Sequence, residues 1–339
     1  MTTKAPDVGT AAGILRLGNA FCDAKALLTA VELDLFTQLH KAPSGSATVE
    51  EVKDLLGLHG RGLQDFLDLL VALRILERQE GRYRNAEGTD RHLVRGGEAY
   101  VGGFLLRSSR NLYPAWGRLE EALRTGQQQS GSHYDEVTQN PEILRQFIGS
   151  MDAFTNVLGA QLIEAYDWSG HGSVVDVGGA RGNLASQIVR ARPHLAGRVF
   201  DLPEMKPFAE ELIAELGLTG KLEFHGGSFF TDPLPSADVV VLGHVLHDWD
   251  PQQRSMLVHK AFDAVNPGGT LLVYDRMLDD EPEHAENLVI SLDMLLVTDG
   301  GSEYPAAEIV GYAEHAGFAG TEVVPLGDFD TLVICRKAA

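Results

Sequence analysis

Val174-Val-Asp-Val-Gly-Gly-Ala-Arg-Gly182 decides the architecture. Its first four residues include three valines, which suit a buried strand better than a solvated turn. Glycines at 178, 179 and 182 follow, and then a helix. A glycine turn between a strand and a helix lets the backbone approach a ligand that a β-carbon would exclude.

Outward from this stretch, short apolar runs alternate with helix-length intervals. They are Val174–Val177, Val199–Phe200, Leu222–Phe224, Val239–Leu242, Leu271–Tyr274, Thr321–Leu326 and Thr331–Cys335. Seven strands, the first five so separated, predict an α/β fold with a mostly parallel sheet. Gly327-Asp-Phe-Asp330 leaves only four residues between the last two, so they form an antiparallel hairpin.

The first part of the chain is helical. Leu17, Ala20, Phe21, Ala24, Leu27, Leu28 and Val31 follow helical spacing between Thr10 and Leu39. Thr48-Val-Glu-Glu51 reads as a capping box opening a short helix that stops near Gly57. A second helix is expected from Gly62 to Leu76, with Leu63, Phe66, Leu67, Leu70, Leu73 and Leu76 inward. The polar segment Glu77–Asn85, centred on Gly81, then makes a wing. Helix, turn, helix and wing resemble a DNA-binding motif, but Arg61 and Arg74 are offset by Asp65 and Asp68. Two or three further helices are expected from Leu112 to Trp168, the long one opening at Asn140-Pro-Glu142, with Leu144, Phe147, Met151, Phe154 and Leu158 apolar.

The 339 residues carry 28 Lys and Arg against 48 Asp and Glu, a formal net charge of −20. Such a surface repels phosphate backbones, so nucleic acid is not expected as a partner. No apolar run of about 18 residues predicts a membrane span. The N-terminus lacks the apolar core of a signal peptide, and the expected compartment is the cytoplasm. Cys22 and Cys335 suggest neither a disulfide framework nor a metal spacing.

Candidate chemistry lies after the strands. Asp201, in Phe200-Asp-Leu-Pro203, can accept hydrogen bonds from both hydroxyls of an adenosine ribose. NAD and S-adenosylmethionine both contain that ribose, so Asp201 does not choose between them. In Gly226-Gly-Ser-Phe-Phe230, a small polar residue precedes an aromatic, a pair suited to the edge and face of adenine. His247 lies in Val239-Val-Val-Leu-Gly-His-Val-Leu-His-Asp-Trp-Asp250, between the end of the fourth strand and a helix begun by Asp250 as cap and Pro251 as first residue. That edge of an open α/β sheet is where ligands bind. His244, His247, Asp248 and Asp250 could be drawn as metal ligands, but capping already accounts for Asp250, and no metal is expected.

The ordered set Val175-Asp-Val-Gly-Gly179, Phe200-Asp-Leu-Pro203, Gly226-Gly-Ser-Phe-Phe230, His247-Asp-Trp249, Asn266-Pro-Gly-Gly269 and Asp299-Gly-Gly-Ser-Glu303 resembles the caffeic-acid-type O-methyltransferases of plants and their bacterial relatives in antibiotic biosynthesis. The terminal hairpin agrees with the methyltransferase variant of the Rossmann-type sheet. The resemblance implies a winged-helix-like dimerisation domain at 1–110, a helical connector with substrate-pocket helices at 111–168, and an S-adenosylmethionine-binding catalytic domain at 169–339. It also implies a homodimer.

Carried over by motif position, Asp176, Gly178, Gly179 and Leu202 surround the cofactor with Asp201 on its ribose, while Ser228 and Phe229 face adenine. His247 becomes the general base, with Asp275 and Glu303 holding and polarising its imidazole. Phe147, Met151, Phe154, Asp248 and Met294 are candidates to face a hydroxylated aromatic substrate. Two positions depart from the family. An acidic residue usually stands at Ser228, and a lysine is common at Gly243, also a candidate cofactor contact.

A phenol of pKa about 10 is only ~0.1% ionised at pH 7, so its oxygen needs a base before it can accept a methyl group. Phenolate is also nucleophilic at its ortho carbon, so C-methylation is the alternative within this class. An NAD-dependent oxidoreductase would leave His247-Asp-Trp249 and the hairpin unexplained. A winged-helix regulator with a vestigial cofactor fold would have no use for the base and its carboxylates.

Overall fold

The computed structural model describes residues 8–97, 99–130 and 141–339, without the side chains of 141–143, 146, 150, 153 and 154. The chain divides into two compact units, residues 1–113 and 114–339.

The first unit is helical with a two-stranded wing. Helices Ala11–Gly18, Ala20–Glu32 and Leu35–Lys41 replace the single continuous pattern expected there. Asp34, at φ 57°, turns the chain between the last two. Thr48 and Glu51 form the expected capping box over Val49–Leu56, which ends at Gly57. The next helix spans Leu63–Ala72, four residues shorter than expected at its end. Arg74 takes φ 62°, which no helix tolerates, and Leu76 becomes the first residue of a strand. That strand, β1 (Leu76–Gln79), pairs antiparallel with β2 (Arg82–Asn85). Leu35, Phe36, Leu39, Leu67, Leu70, Leu76 and Tyr83 form the core of this unit. Ile14, Leu15, Leu17 and Phe21 remain exposed.

In the second unit the strands are β3 (Ser173–Val177), β4 (Ala196–Asp201), β5 (Leu222–Gly226), β6 (Ala237–Gly243), β7 (Val265–Asp275), β8 (Gly320–Leu326) and β9 (Asp330–Arg336). Their spatial order is β5-β4-β3-β6-β7-β9-β8. All pairs are parallel except β7 with β9 and β8 with β9, the latter as the short terminal connection requires. Strand order reverses between β3 and β6, which opens a crevice at their carboxyl ends. Helices cover both faces, which is why the central strands read as near-continuous apolar runs rather than alternating. Val239 and Val241 pack into one core, whereas Val240 and Leu242 pack into the other. Asn266-Pro-Gly-Gly269, which follows helix Pro251–Ala264, belongs to β7 itself. No helix among the described residues is long and apolar enough to cross a membrane.

The turn after β3 depends on its third glycine. Gly182 has φ +84°, and a β-carbon there would lie 2.6 Å from Val199 Cγ2. Gly182→Ala combines left-handed strain with a clash against β4, so it should lower unfolding free energy by about 1–3 kcal/mol in urea titration. An unchanged midpoint would show that the turn relaxes freely.

Candidate active site

The crevice has two ends, each built by a strand terminus. At the first, Gly178 holds φ +75° and its N–H donates to the Phe200 carbonyl (2.8 Å). A β-carbon on Gly178 would reach Val245 Cγ2 at 2.6 Å, and one on Gly179 would reach Asp176 Oδ2 at 2.5 Å. Asp201 Oδ2 accepts from Ala180 N (2.7 Å), and its Oδ1 accepts from Leu202 N (2.6 Å). Asp201 therefore fixes the glycine turn while each oxygen keeps further lone-pair capacity for a ligand. Burial, opposed by those two backbone donors, raises its pKa to about 6.

Asp176 is buried, and its Oδ2 has no hydrogen-bond partner among the described residues. Burial and the neighbouring Asp201 charge raise its pKa to about 7. A buried carboxylate with a vacant oxygen beside a glycine cradle suits a cationic ligand whose approach needs no side chain in the way.

At the second end, His247 sits in the 3-10 turn Leu246–Asp248 after β6. Asp250 stabilises the following helix by accepting from Gln252 N (2.8 Å) and Gln253 N (2.9 Å). His247 Nδ1 lies 2.6 Å from Glu303 Oε1 and 3.5 Å from Asp275 Oδ1. All three residues are buried, and Tyr304 donates its hydroxyl to Asp275. With Nδ1 directed at Glu303, Nε2 is the nitrogen left to exchange a proton, with Asp248 Oδ1 3.8 Å away.

The match to known proteins joins the two ends. Residues 116–319 match the model of the O-methyltransferase domain, and residues 15–95 match the O-methyltransferase dimerisation domain. The chain belongs to the O-methyltransferase family. It is 47% identical over 329 residues to the tetracenomycin polyketide synthesis 8-O-methyl transferase of Streptomyces glaucescens, covering 96% of each chain. It is 43% identical to an N,N-dimethyltransferase of Streptomyces rimosus, over 94% of this chain and 93% of that one. The crystal structure of human N-acetylserotonin methyltransferase in complex with S-adenosylmethionine superimposes with a TM-score of 0.89 at 28% identity, covering 98% and 99% of the two chains. The cofactor is S-adenosylmethionine. Membership sets aside the oxidoreductase and regulator readings.

Other residues of this methyltransferase fall less simply. Ser228 lies in a turn closed by Asp232, whose Oδ2 accepts from Ser228 N (2.8 Å), so a carboxylate returns to this turn four residues on. Phe229 packs edge-on against Phe230 and Trp249, with ring centroids at 4.9 and 5.7 Å. Gly243 admits no side chain, because a β-carbon would fall 2.1 Å from Tyr274 Cζ. Tyr274 thus fills the space that a side chain at position 243 would enter.

Phe147 packs with Ala180 of the glycine turn around Leu144, Ile148, Met205 and Phe208. Met151 is half-buried on the same helix, Pro141–Ala165, while the Phe154 side chain lies outside the described residues. Met294 is buried on helix Ala285–Val297, which approaches the Glu303 loop where Ser291 Oγ accepts from Glu303 N (3.2 Å).

Sequence spacing gave no sign of Tyr274, Tyr304 or the Arg181–Asp152 ion pair (2.5 Å) tying the glycine turn to the long helix. It also missed the pairing of His244 Nε2 with Asp330 Oδ1 at 2.9 Å. His244, His247 and Asp275 offer ligand atoms within 4.8 Å of one another, a grouping that replaces Asp248 and Asp250 of the metal set considered above. Glu303 already engages His247 Nδ1 there.

Burial alone would depress the His247 pKa, but Glu303 and then Asp275 overcome it and raise it to about 10. Burial raises Asp275 to about 7, against the attraction of His247. A histidine raised on folding contributes stability that is complete below pH ~6.5 and lost as pH climbs to the folded value. Unfolding free energy of the ligand-free methyltransferase should therefore decline between neutral pH and about 10, and His247→Asn should flatten that decline. Parallel wild-type and variant curves in urea titrations across this window would contradict the assignment.

Proposed function

We propose that this methyltransferase methylates the phenolic hydroxyl of a hydroxylated aromatic small molecule in secondary metabolism, with His247 as general base. One observation carries the reading: a buried imidazole held by Glu303 at 2.6 Å and Asp275 at 3.5 Å. An amine nucleophile already has a free lone pair when neutral, whereas a phenol must surrender a proton. The name of the 47% identical relative agrees with oxygen as acceptor, and that of the 43% identical one makes nitrogen the second reading.

When bound, S-adenosylmethionine supplies an electrophilic methyl group on a sulfonium. Asp176, Gly178, Gly179 and Leu202 would hold its amino-acid end, Asp201 its ribose, and Ser228 with Phe229 its adenine. Phe147, Met151, Asp248 and Met294 would orient the acceptor and exclude water, so that its oxygen lies in line with the reacting bond.

His247 Nε2 takes the phenolic proton, and Glu303 and Asp275 stabilise the imidazolium that results. An unperturbed histidine falls short of phenol by about 3.5 pKa units, roughly 5 kcal/mol. The raised value of about 10 closes that gap. At neutral pH the ligand-free imidazole holds its proton, so the acceptor arrives either as phenolate or after solvent has removed that proton. Both routes end in phenolate beside imidazolium.

His247→Ala should retain cofactor binding by calorimetry while turnover of a phenolic acceptor falls by roughly 10²–10⁴-fold, the usual size of general-base catalysis. Raising pH should restore part of the rate. Asp201→Ala should do the reverse and weaken cofactor binding by on the order of 1.5–3 kcal/mol. Near-normal turnover by His247→Ala would remove the proton transfer and leave positioning as the source of rate.

The active form is a homodimer. Its support is the match to the dimerisation domain and the exposed Ile14, Leu15, Leu17 and Phe21 of the first two helices, which the described residues leave uncovered. Sedimentation should give twice the chain mass at micromolar concentration, and Leu15→Glu with Phe21→Glu should shift it toward monomer. A monomeric wild type would rule the dimer out.

A further inference from the structure

Arg254 is buried on helix Pro251–Ala264 and has no part in the proton transfer described above. A buried guanidinium is retained only where it is paired. Nη1 of Arg254 donates to the Ser302 carbonyl (2.9 Å) and lies 3.3 Å from Ser302 Oγ. Its Nε lies 3.0 Å from Glu308, and its guanidinium lies over the Tyr304 ring, 4.6 Å from the centroid. One planar cation thus grips the residues on both sides of Glu303.

The same segment is joined to the base. Ser302 N donates to the His247 carbonyl (2.9 Å), and Tyr304 donates its hydroxyl to Asp275. Gly301 allows this approach, since a β-carbon there would lie 2.6 Å from the His247 carbonyl oxygen. We propose that Arg254 is a positioning residue: by clamping Ser302 and Tyr304 it aims Glu303 and, through the Tyr304 hydroxyl, Asp275 at His247. The proposal rests on the reading of His247 as base for its importance to the reaction.

Among the described residues, the groups facing His247 are Glu303 from the loop after helix Ala285–Val297, Asp275 from β7 with the Tyr304 hydroxyl on it, and His244 and Asp248 from its own segment. Asp330 of β9 stands behind His244. Arg254 can act on this set in two ways of opposite sign. As a charge alone it repels the imidazolium proton, so its removal would raise the His247 titration midpoint. As a clamp it keeps Glu303 in contact, so its removal lowers the midpoint.

Titration of the assigned His247 imidazole, followed by ¹⁵N chemical shift in the full-length protein without any acceptor, separates these effects. Arg254→Gln should lower the midpoint by about one pH unit or more, with cofactor affinity by calorimetry changed less than about threefold. Arg254→Lys keeps the charge but lacks the planar fork, so it should also lower the midpoint, by less. It carries the test alone if the Gln variant does not fold, because a charge effect predicts no change there. In a Glu303→Gln background, Arg254→Lys should add only a smaller fall, the part carried by Tyr304 and Asp275. A raised or unmoved midpoint in folded Arg254→Gln, or in Arg254→Lys when it stands alone, would overturn the proposal. Since the titration needs neither acceptor nor turnover, its failure is distinct from a failure of His247 as base.

Discussion

A buried imidazolium flanked by two carboxylates is the constraint on which the catalytic unit depends. Removing one partner of a buried charge pair typically costs 3–5 kcal/mol, because the other is left without solvent or counterion. His247, Glu303 and Asp275 are therefore stable only together, and they come from three separate segments. Two carboxylates beside one imidazole carry an excess negative charge. The structure answers with the Tyr304 hydroxyl on Asp275 and with an Asp275 pKa raised to about 7.

Much of the surrounding architecture serves that arrangement. β6 delivers His247 and β7 delivers Asp275 because the two strands pair in parallel, Gly243 opposite Tyr274, with Asp275 one residue beyond. The Glu303 loop is brought in by backbone contact with the turn that holds His247, through Ser302 N and Gly301. At the other end of the crevice, a carboxylate again organises backbone: Asp201 ties Ala180 and Leu202. Each end of the crevice thus has an acidic side chain at a strand terminus that engages another segment, Asp201 the glycine turn and Asp275 the Tyr304 hydroxyl.

The sheet was legible because its strands are buried on both faces and therefore appear as apolar runs of strand length. The capping box at Thr48 and the cap at Asp250 were legible for a local reason, since each is completed within four residues. The helix expected to reach Leu76 was misjudged because Arg74 adopts a left-handed conformation that helical spacing cannot register. The exposed apolar residues of the first helices have the same periodicity as core residues, and only their accessibility separates the two.

By itself the sequence determined the α/β class, the terminal hairpin, the carboxylate that closes the second strand of the sheet and the histidine at the strand edge, since each is written in contiguous residues. It named Asp275 and Glu303 through resemblance, and gave no account of why they act on one imidazole. Tertiary structure alone decided that Gly243 and Tyr274 fill one space and that Arg254 braces the Glu303 loop. These are contacts between residues 31 and 48 positions apart, and their geometry depends on how helices and strands pack. Hydrophobic period and local capping carry no record of such distances.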